Sequence, residues 1–404
     1  MPSLRWPDGT TTRALLAAGL LVLAGCQGSE RGPASAVKLD SGVPVGAVLA
    51  LTGNANVYGQ DQKVGLSLAQ QEINGAGGIA GRPLNLSIED GGSDEAGANA
   101  AMTLQINRGM LAVVGPTLSQ QAFSADPIAQ RRGMPVVGPS NTATGIPEIG
   151  SFISRVSAQS SEIAPLSIGR ALKLQPNLKR AAVFYAQDDA YATAETVIFQ
   201  KALAEKGLKP VTVQRTQIND LDFQNQITAA LNQKPDLVVL SLQAVDGGNL
   251  IRQLRELGYR GLIVVGNGMN TPNIYPICQR HCDGILIAQA YSPELATPAN
   301  QAFIKRFQAS QGGSIPPQLT AQAYTALQVI AEALQRLEKR QPLAGADLGQ
   351  SRRALMQEIL GGTYQTPLGE IRFTPEGEVI QKQFYVARVK MNPTGNGGRF
   401  ELLP

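Results

Sequence analysis

From Val43 onward, short apolar runs rich in Val, Ile and Leu alternate with longer stretches whose apolar residues recur at helical spacing. The first series predicts strands over 43–51, 84–89, 111–114 and 135–137, with helices over 60–74, 94–108 and 119–131 between and after them. A second series predicts helices over 161–172, 191–206, 223–233 and 249–257, interleaved with strands over 180–185, 211–214, 236–242 and 261–265. One more strand (284–290) and helices over 300–310, 319–338 and 352–360 follow. The texture then changes: 368–373 and 381–390 alternate like antiparallel strands around Pro375-Glu376-Gly377. Two βα series predict two doubly wound α/β lobes, each a parallel sheet covered by helices. Ligands bind such sheets beyond the carboxyl ends of the strands, so two facing sheets would make a cleft.

The N-terminal segment reads differently. Arg5 and Arg13 precede an uncharged, mostly apolar stretch, 14–24, that runs into Leu23-Ala24-Gly25-Cys26. A short apolar run behind a basic segment is a secretory signal, and it is shorter than the roughly 20 residues a spanning helix needs. Leu-Ala-Gly-Cys resembles a bacterial lipobox, which implies diacylglyceryl transfer to the Cys26 thiol after removal of residues 1–25. Residues 26–42 then read as a lipid-anchored flexible tether, polar and containing Gly, Ser and Pro. The expected location is exported, periplasmic or cell-surface, and membrane-anchored.

The bulk numbers narrow the function classes. The chain has 404 residues, 43% hydrophobic, with a formal charge of +4. No dense Lys/Arg run interleaves with aromatics, so a nucleic-acid partner is not expected. His281 is the single histidine, which limits triad or multi-histidine metal chemistry. There is no Walker-type phosphate loop, and neither Ser119 nor the Asp188/Asp189 pair has an identifiable activating partner, so no enzyme and no cofactor are expected. In an oxidising compartment Cys278 and Cys282, in Cys-Gln-Arg-His-Cys, favour a local disulfide. A metal site with His281 is the alternative, and it lacks an evident fourth ligand.

Several segments carry a family pattern in order: Val48-Leu49-Ala50-Leu51-Thr52-Gly53 with Tyr58-Gly59; Glu72-Ile73-Asn74-Gly75-Ala76-Gly77-Gly78-Ile79; Val113-Val114-Gly115-Pro116 with Ser119; Gly133-Met134-Pro135-Val136-Val137 leading to Ser140-Asn141-Thr142; Tyr191; and the closing stretch 364–377. Together they resemble the leucine/isoleucine/valine-binding family, the type I periplasmic binding proteins. The resemblance implies two lobes joined by three crossover strands, near Ser157, Ala288–Tyr291 and Pro367. Lobe I would hold 43–157 and 290–366, lobe II 158–289 and 367–390, with 391–404 a C-terminal tail. It further implies a monomeric solute-binding component of an ABC importer, handing a small polar ligand, a neutral or branched-chain-type amino acid first, to a membrane permease. An amide, urea or organic acid is the alternative ligand, and a sensor with a separate signalling partner the alternative role.

Ser119 is predicted at a helix N-terminus, where backbone N–H groups and the dipole favour an anion; it could equally be only a cap. Thr117, Ser140 and Thr142 are ligand candidates from neighbouring loops. Tyr58 and Tyr191 are aromatics placed to close over a ligand from either lobe. The sequence departs from the family at two second-lobe positions. Gly268 stands where an acidic residue for the ammonium is often found, and Gln243 where a tyrosine is common. Asp246, Asp188 or Asp189 could supply the missing carboxylate; Gln243 and Asp246 complete the candidate ligand set. The usual first-lobe cysteine pair is absent, with Gly92 or Ser93 and Leu118 in the matching places.

Overall fold

The computed structural model describes residues 36–404. The predicted signal segment and Cys26 lie outside the described residues. The first sheet is built from β1 (Val43–Leu49), β2 (Leu84–Asp90), β3 (Val113–Val114), β4 (Val136–Gly138) and β5 (Ile153–Arg155), all parallel, in the order β2-β1-β3-β4-β5. Helices α1 (Asn56–Gly75), α2 (Glu95–Asn107) and α3 (Ser119–Arg131) connect them. The second sheet repeats that order with β6 (Arg180–Ala186), β7 (Lys209–Thr216), β8 (Leu237–Ser241), β9 (Leu262–Val265) and β10 (Leu286–Gln289), again parallel, as β7-β6-β8-β9-β10. Its helices are α4 (Ser160–Leu174), α5 (Ala190–Glu205), α6 (Gln224–Leu231), α7 (Ala244–Glu256) and the single turn α8 (Tyr275–Cys278). Then come α9 (Pro298–Ser310), α10 (Gln318–Arg340) and α11 (Leu348–Gly361). An antiparallel meander follows, β11 (Tyr364–Thr366), β12 (Gly369–Phe373) and β13 (Val379–Gln381). Finally β14 (Tyr385–Met391) and β15 (Gly398–Leu402) extend the second sheet antiparallel to β10 and to each other.

Strand periodicity explains why both faces of each sheet need cover. In β1, Val43, Val45, Ala47 and Leu49 enter one core with Leu66 of α1 and Leu327 and Ile330 of α10, while Val48 enters another with Met102 of α2 and Ala122 of α3. A strand buried on both sides reads as a continuous apolar run, which is how 43–51 looks. Helices α1 and α10 approach closely at Gly65, where any side-chain carbon would lie 2.2 Å from the Thr320 carbonyl oxygen. The second sheet is sandwiched likewise, by Ile168 of α4 and Phe199 of α5 on one face and Ile227 of α6 and Leu250 of α7 on the other. Cys278 and Cys282 are joined in a disulfide with Cα atoms 5.5 Å apart.

Three boundaries differ from the sequence reading. The passage from the first sheet to the second lies between β5 and α4, and the return lies after β10. The last passage does not fall near Pro367. Strands β12 and β13 stay on the first core through Ile371, Phe373 and Val379, and the chain changes sheets at residues 382–384. Residues 391–404 are not simply a tail: β15 pairs with β14 along five positions, Gly398 to Leu402. The tether stops short of residue 42, because Ala36 bridges Asp347 and Val37, 4% exposed, is packed into the first core.

At the end of β5 sits the largest fully buried side chain, Arg155. Its guanidinium is bidentate to Glu378, through Nε to Oε2 at 2.8 Å and Nη2 to Oε1 at 2.5 Å, and its Nη1 donates to the carbonyls of Asn141 (3.1 Å) and Ala143 (2.7 Å). Removing one partner of a buried pair strands the other charge. Arg155→Met is therefore expected to cost about 3–5 kcal/mol in urea unfolding, and adding Glu378→Leu to that variant should recover part of the loss.

Candidate functional site

The two sheets share a strand order whose connections diverge between β1 and β3 and between β6 and β8. At such switch points the helices leave to opposite faces, so the strand ends open into a crevice. The two crevices meet in one small cavity. From the first lobe it is lined by Tyr58, Thr117, Leu118, Ser119, Ser140, Thr142 and Leu319, and from the second by Tyr191, Gln243, Asn267 and Gly268. Seven of the eight ligand candidates from the sequence thus come together. The eighth does not: Asp246 lies in the first turn of α7, buried, with its carboxylate toward the Asn219 backbone rather than in the cavity wall. Asp188 is exposed and accepts from the Ile218 N–H at 2.9 Å.

On the first-lobe side, Ser119 is the first residue of α3, and Leu118 occupies the cap position without a side-chain cap bond. The Ser119 hydroxyl oxygen accepts from the backbone N–H groups of Thr142 and Ala143, each at 3.2 Å, which leaves its own hydrogen to donate. Ser119 is therefore not merely capping its own helix; it ties two cavity loops together. Thr117 and Ser140 are already engaged. The Thr117 hydroxyl donates to Gln62 Oε1 at 2.6 Å and accepts from Ala50 N–H at 3.0 Å. Gln62 Nε2 donates to Ser140 Oγ at 2.6 Å, which in turn donates to the Thr117 carbonyl at 2.6 Å. The open donors are thus Ser119 Oγ and the first-turn N–H groups of α3, which together make an anion site.

Tyr58 belongs to the first turn of α1, which starts at Asn56, ahead of the predicted helix start at residue 60. Its hydroxyl crosses the cleft, donating to the Gly268 carbonyl and accepting from Ala244 N–H, both at 2.6 Å. Burial pushes that hydroxyl well above the usual phenol range. Other cross-cleft bonds run from Ala190 N–H to Gln120 Oε1 (3.1 Å) and from Thr271 Oγ1 (3.3 Å) and Asn273 Nδ2 (3.2 Å) to Asp61. Burial raises the Asp61 carboxyl to about 6, against those two hydrogen bonds. The lobes are closed on each other.

On the second-lobe side, the Tyr191 hydroxyl donates to Glu195 at 2.6 Å and accepts from Gly268 N–H at 2.6 Å. Gln243 Nε2 donates to Asp189 Oδ2 at 2.9 Å, while Asp189 Oδ1 caps α5 through Tyr191 N–H at 3.0 Å. Asn267, Gln62 and Glu195 were missed in the sequence. The signal for the last two was present: a polar residue four positions after a cavity tyrosine lies on the same helix face.

The family model of the periplasmic binding proteins matches residues 42–398. The chain belongs to that family: it is a two-lobe solute-binding protein, not an enzyme, of a class that works outside the cytoplasm. Among curated relatives, the Leu/Ile/Val-binding protein BraC3 of Rhizobium johnstonii is 25% identical over 347 residues, covering 85% of this chain and 90% of its own. Among solved structures, the leucine-binding protein LivK of Thermotoga maritima superposes with a TM-score of 0.79 at 24% identity, covering 89% of this chain and 97% of that one. A solute-binding protein of R. palustris in complex with benzoate gives 0.76 at 20% identity, with 89% and 95% covered. No helix among the described residues is long and apolar enough to cross a membrane.

Helix α3, which presents Ser119, also buries Asp126 with both carboxylate oxygens unpartnered. Burial holds that carboxyl well above its ordinary range. A raised folded pKa means stability is fully present below the ordinary carboxyl range and is lost as pH rises toward the raised value. Asp126→Asn is therefore expected to flatten the pH dependence of unfolding, by up to about 1.4 kcal/mol per pH unit over that window. Denaturant titrations between pH 4 and pH 8 would read it.

Proposed function

We propose that this protein captures a small amino acid with an apolar side chain between its lobes and delivers it to the permease of an ABC importer. The observation that carries this reading is the anion site at the start of α3, where an open hydroxyl and unpaired N–H groups face the cavity beside the apolar walls of Leu118 and Leu319. A carboxylate fits there, and the side chain of an amino acid fits the walls. The names of BraC3 and LivK, which cite leucine, isoleucine or valine, support the same choice. A second reading, an aromatic or aliphatic carboxylic acid without an amine, is favoured by the benzoate complex of the R. palustris neighbour. The two lobes, with the last passage between them at residues 382–384, supply the two halves of the clamp, and binding shifts the population toward the closed form. The polar stretch after Cys26 and the lipid on that cysteine hold the clamp, a monomer, at the membrane.

Calorimetry on matched ligands tests the reading. L-Leucine should bind and leucinamide should bind much more weakly; equal affinity for the amide would remove the anion site. Ser119→Ala should weaken leucine binding by about 1–3 kcal/mol, the worth of a hydrogen bond to a charged group, and should also lower stability by about 1–3 kcal/mol, because it leaves the Thr142 and Ala143 N–H groups without their acceptor. Mass spectrometry of membrane-extracted protein should find a diacylated N-terminal Cys26, and an unlipidated mature chain beginning elsewhere would remove the anchor.

A further inference from the structure

A second cavity lies beside the first and is larger. Its volume is about 760 Å³, within the roughly 300–1,000 Å³ of small-molecule sites. Like the first, it takes its walls from both lobes. Asn270, Tyr275 and β15 supply the second-lobe side, and Phe307 with the loop from α9 into α10 supplies the first-lobe side. The two cavities share no lining residue. Amides divide them. Gln318 Oε1 accepts from Asn270 Nδ2 at 2.9 Å and from Ala290 N–H at 2.8 Å, while Gln318 Nε2 donates to Asn267 Oδ1 at 3.0 Å. Gln318 and Asn270 line the second cavity; Asn267 and Leu319 line the first.

The lining is largely apolar, and its polar groups are left open. Tyr275, 4% exposed, and Tyr291, 3% exposed, both line it, and both hydroxyl oxygens are buried with no hydrogen-bond partner. A buried hydroxyl without a partner is destabilising, so two in one wall serve something other than stability. The edge of β15 adds backbone groups. Five consecutive residues, Gly397 to Glu401, line the cavity; the edge of a strand can do that, whereas one face shows only every second residue. β15 ends its sheet, and its odd-numbered residues bond toward β14: Leu403 N–H donates to the Val386 carbonyl and Asn392 N–H to the Gly397 carbonyl, both at 2.8 Å. The N–H and C=O groups of Gly398 and Phe400 therefore point away from β14, at the open edge.

We propose that this second cavity is a binding site for a neutral, ring-bearing small molecule with an acceptor oxygen, of the aromatic lactone or ketone kind, and that its occupation favours the closed lobes. The rings of Tyr275 and Phe400, tilted against each other with centroids 5.6 Å apart, and of Phe307, 5% exposed, offer the faces and edges that another ring packs on. The ligand oxygen accepts from the edge N–H groups of β15 and from a tyrosine hydroxyl turned toward it. The charges in the wall argue for neutrality. Arg399 is already engaged by Glu401 at 2.9 Å, and Glu294 makes no ion pair among the described residues. An anion there would meet two carboxylates and a guanidinium that is taken.

The coupling follows from where the walls belong. They come from different lobes, so the shape of this cavity is that of the closed arrangement. A molecule that fits it binds the closed form better than an open one, and it shifts the population in the same direction as a ligand in the first cavity. Each ligand then raises the affinity of the other by one common factor. Gln318 stands at the junction. It opens α10, a first-lobe helix, yet its amide bonds Asn267 and Asn270 of the second lobe and Ala290 in the passage between them. The partition between the cavities is thus itself an inter-lobe contact.

The test is calorimetry with coumarin, a neutral aromatic lactone, and with coumarin-3-carboxylate, its anionic counterpart, each with and without saturating L-leucine. Coumarin should bind with a Kd of about 1 mM or tighter, and the carboxylate at least about tenfold more weakly. Leucine should tighten coumarin at least about fivefold, and coumarin should tighten leucine by the same factor. In small-angle scattering, coumarin alone should lower the radius of gyration. Ser314→Trp, which puts an indole into the cavity wall from an exposed loop, should abolish coumarin binding and leave leucine affinity unchanged. Tyr275→Phe combined with Tyr291→Phe should weaken coumarin about threefold or more with no fall in Tm, because the hydroxyls removed have no partner. Coumarin that does not bind, that leucine displaces, or that binds the Ser314→Trp protein as well as wild type overturns the site. Coumarin that binds without compaction and without any effect on leucine overturns the coupling and leaves the site standing. If leucine alone fails to bind, the amino-acid reading falls, and the coumarin titrations and the scattering still decide the second site.

Discussion

The arrangement of the whole first-lobe site depends on one buried guanidinium. Arg155 has no solvent to fall back on, so each of its donors has to find an acceptor, and the ones it finds belong to two separate parts of the chain. Glu378 comes from the turn between β12 and β13, and the carbonyls of Asn141 and Ala143 come from the loop after β4. That loop has no regular structure of its own. Its shape comes from Arg155 pulling on two carbonyls from below and from Ser119 Oγ accepting two N–H groups from above, with Ser157 donating to the Asn141 carbonyl at 2.7 Å. A flexible loop would lose entropy on binding; one already clamped on both sides does not. The binding surface is therefore preformed at the first lobe, and motion is left to the relation between lobes.

Polar contacts join the lobes, beside apolar packing in which Ala50, Ala55 and Leu319 of the first lobe cluster with second-lobe residues. Tyr58 reaches across to both Gly268 and Ala244, and Gln318 joins Asn267 at 3.0 Å and Asn270 at 2.9 Å. Polar contacts of this kind exchange for water at little net cost, each contributing only about 0.5–1.5 kcal/mol. A clamp held by such bonds can open, and a ligand that joins both lobes adds the differential affinity that keeps it shut. An extensive apolar interface in the same place would have locked the lobes regardless of ligand.

How far the sequence could be read follows from the range of the signals involved. Strands buried on both faces and helices with one apolar stripe leave a local mark, so the two βα series and most of their boundaries were legible. So were the positions of Ser119, Thr142, Tyr191 and Gln243, through the family resemblance of the segments that carry them. The last passage between sheets was not. Residues 379–391 keep a strand-like alternation through the break at 382–384, and periodicity says nothing about which sheet a strand joins. Asp246 and Glu195 illustrate the same limit at the site. Both are acids near the start of a second-lobe helix, and only the rotation of each helix about its axis sends one toward Asn219 and the other behind Tyr191.

The exchange at the second lobe shows why a local departure from a family pattern is a poor guide to lost chemistry. Gly268, taken alone, reads as a carboxylate removed. In space a side chain there would meet the Leu242 carbonyl oxygen at 2.6 Å and the Tyr191 ring at 2.8 Å, and Tyr191 itself donates to a carboxylate delivered from α5. Gln243 is backed in a similar way: the amide cannot carry charge, but its Nε2 donates to the Asp189 carboxylate behind it, which fixes the orientation of the amide. In both cases a carboxylate stands one hydrogen bond behind a cavity residue. Retreating the charge has a physical consequence. A carboxylate in the wall would be solvated whenever the lobes opened and would stay ionised; one held behind a tyrosine remains desolvated, and burial raises its pKa.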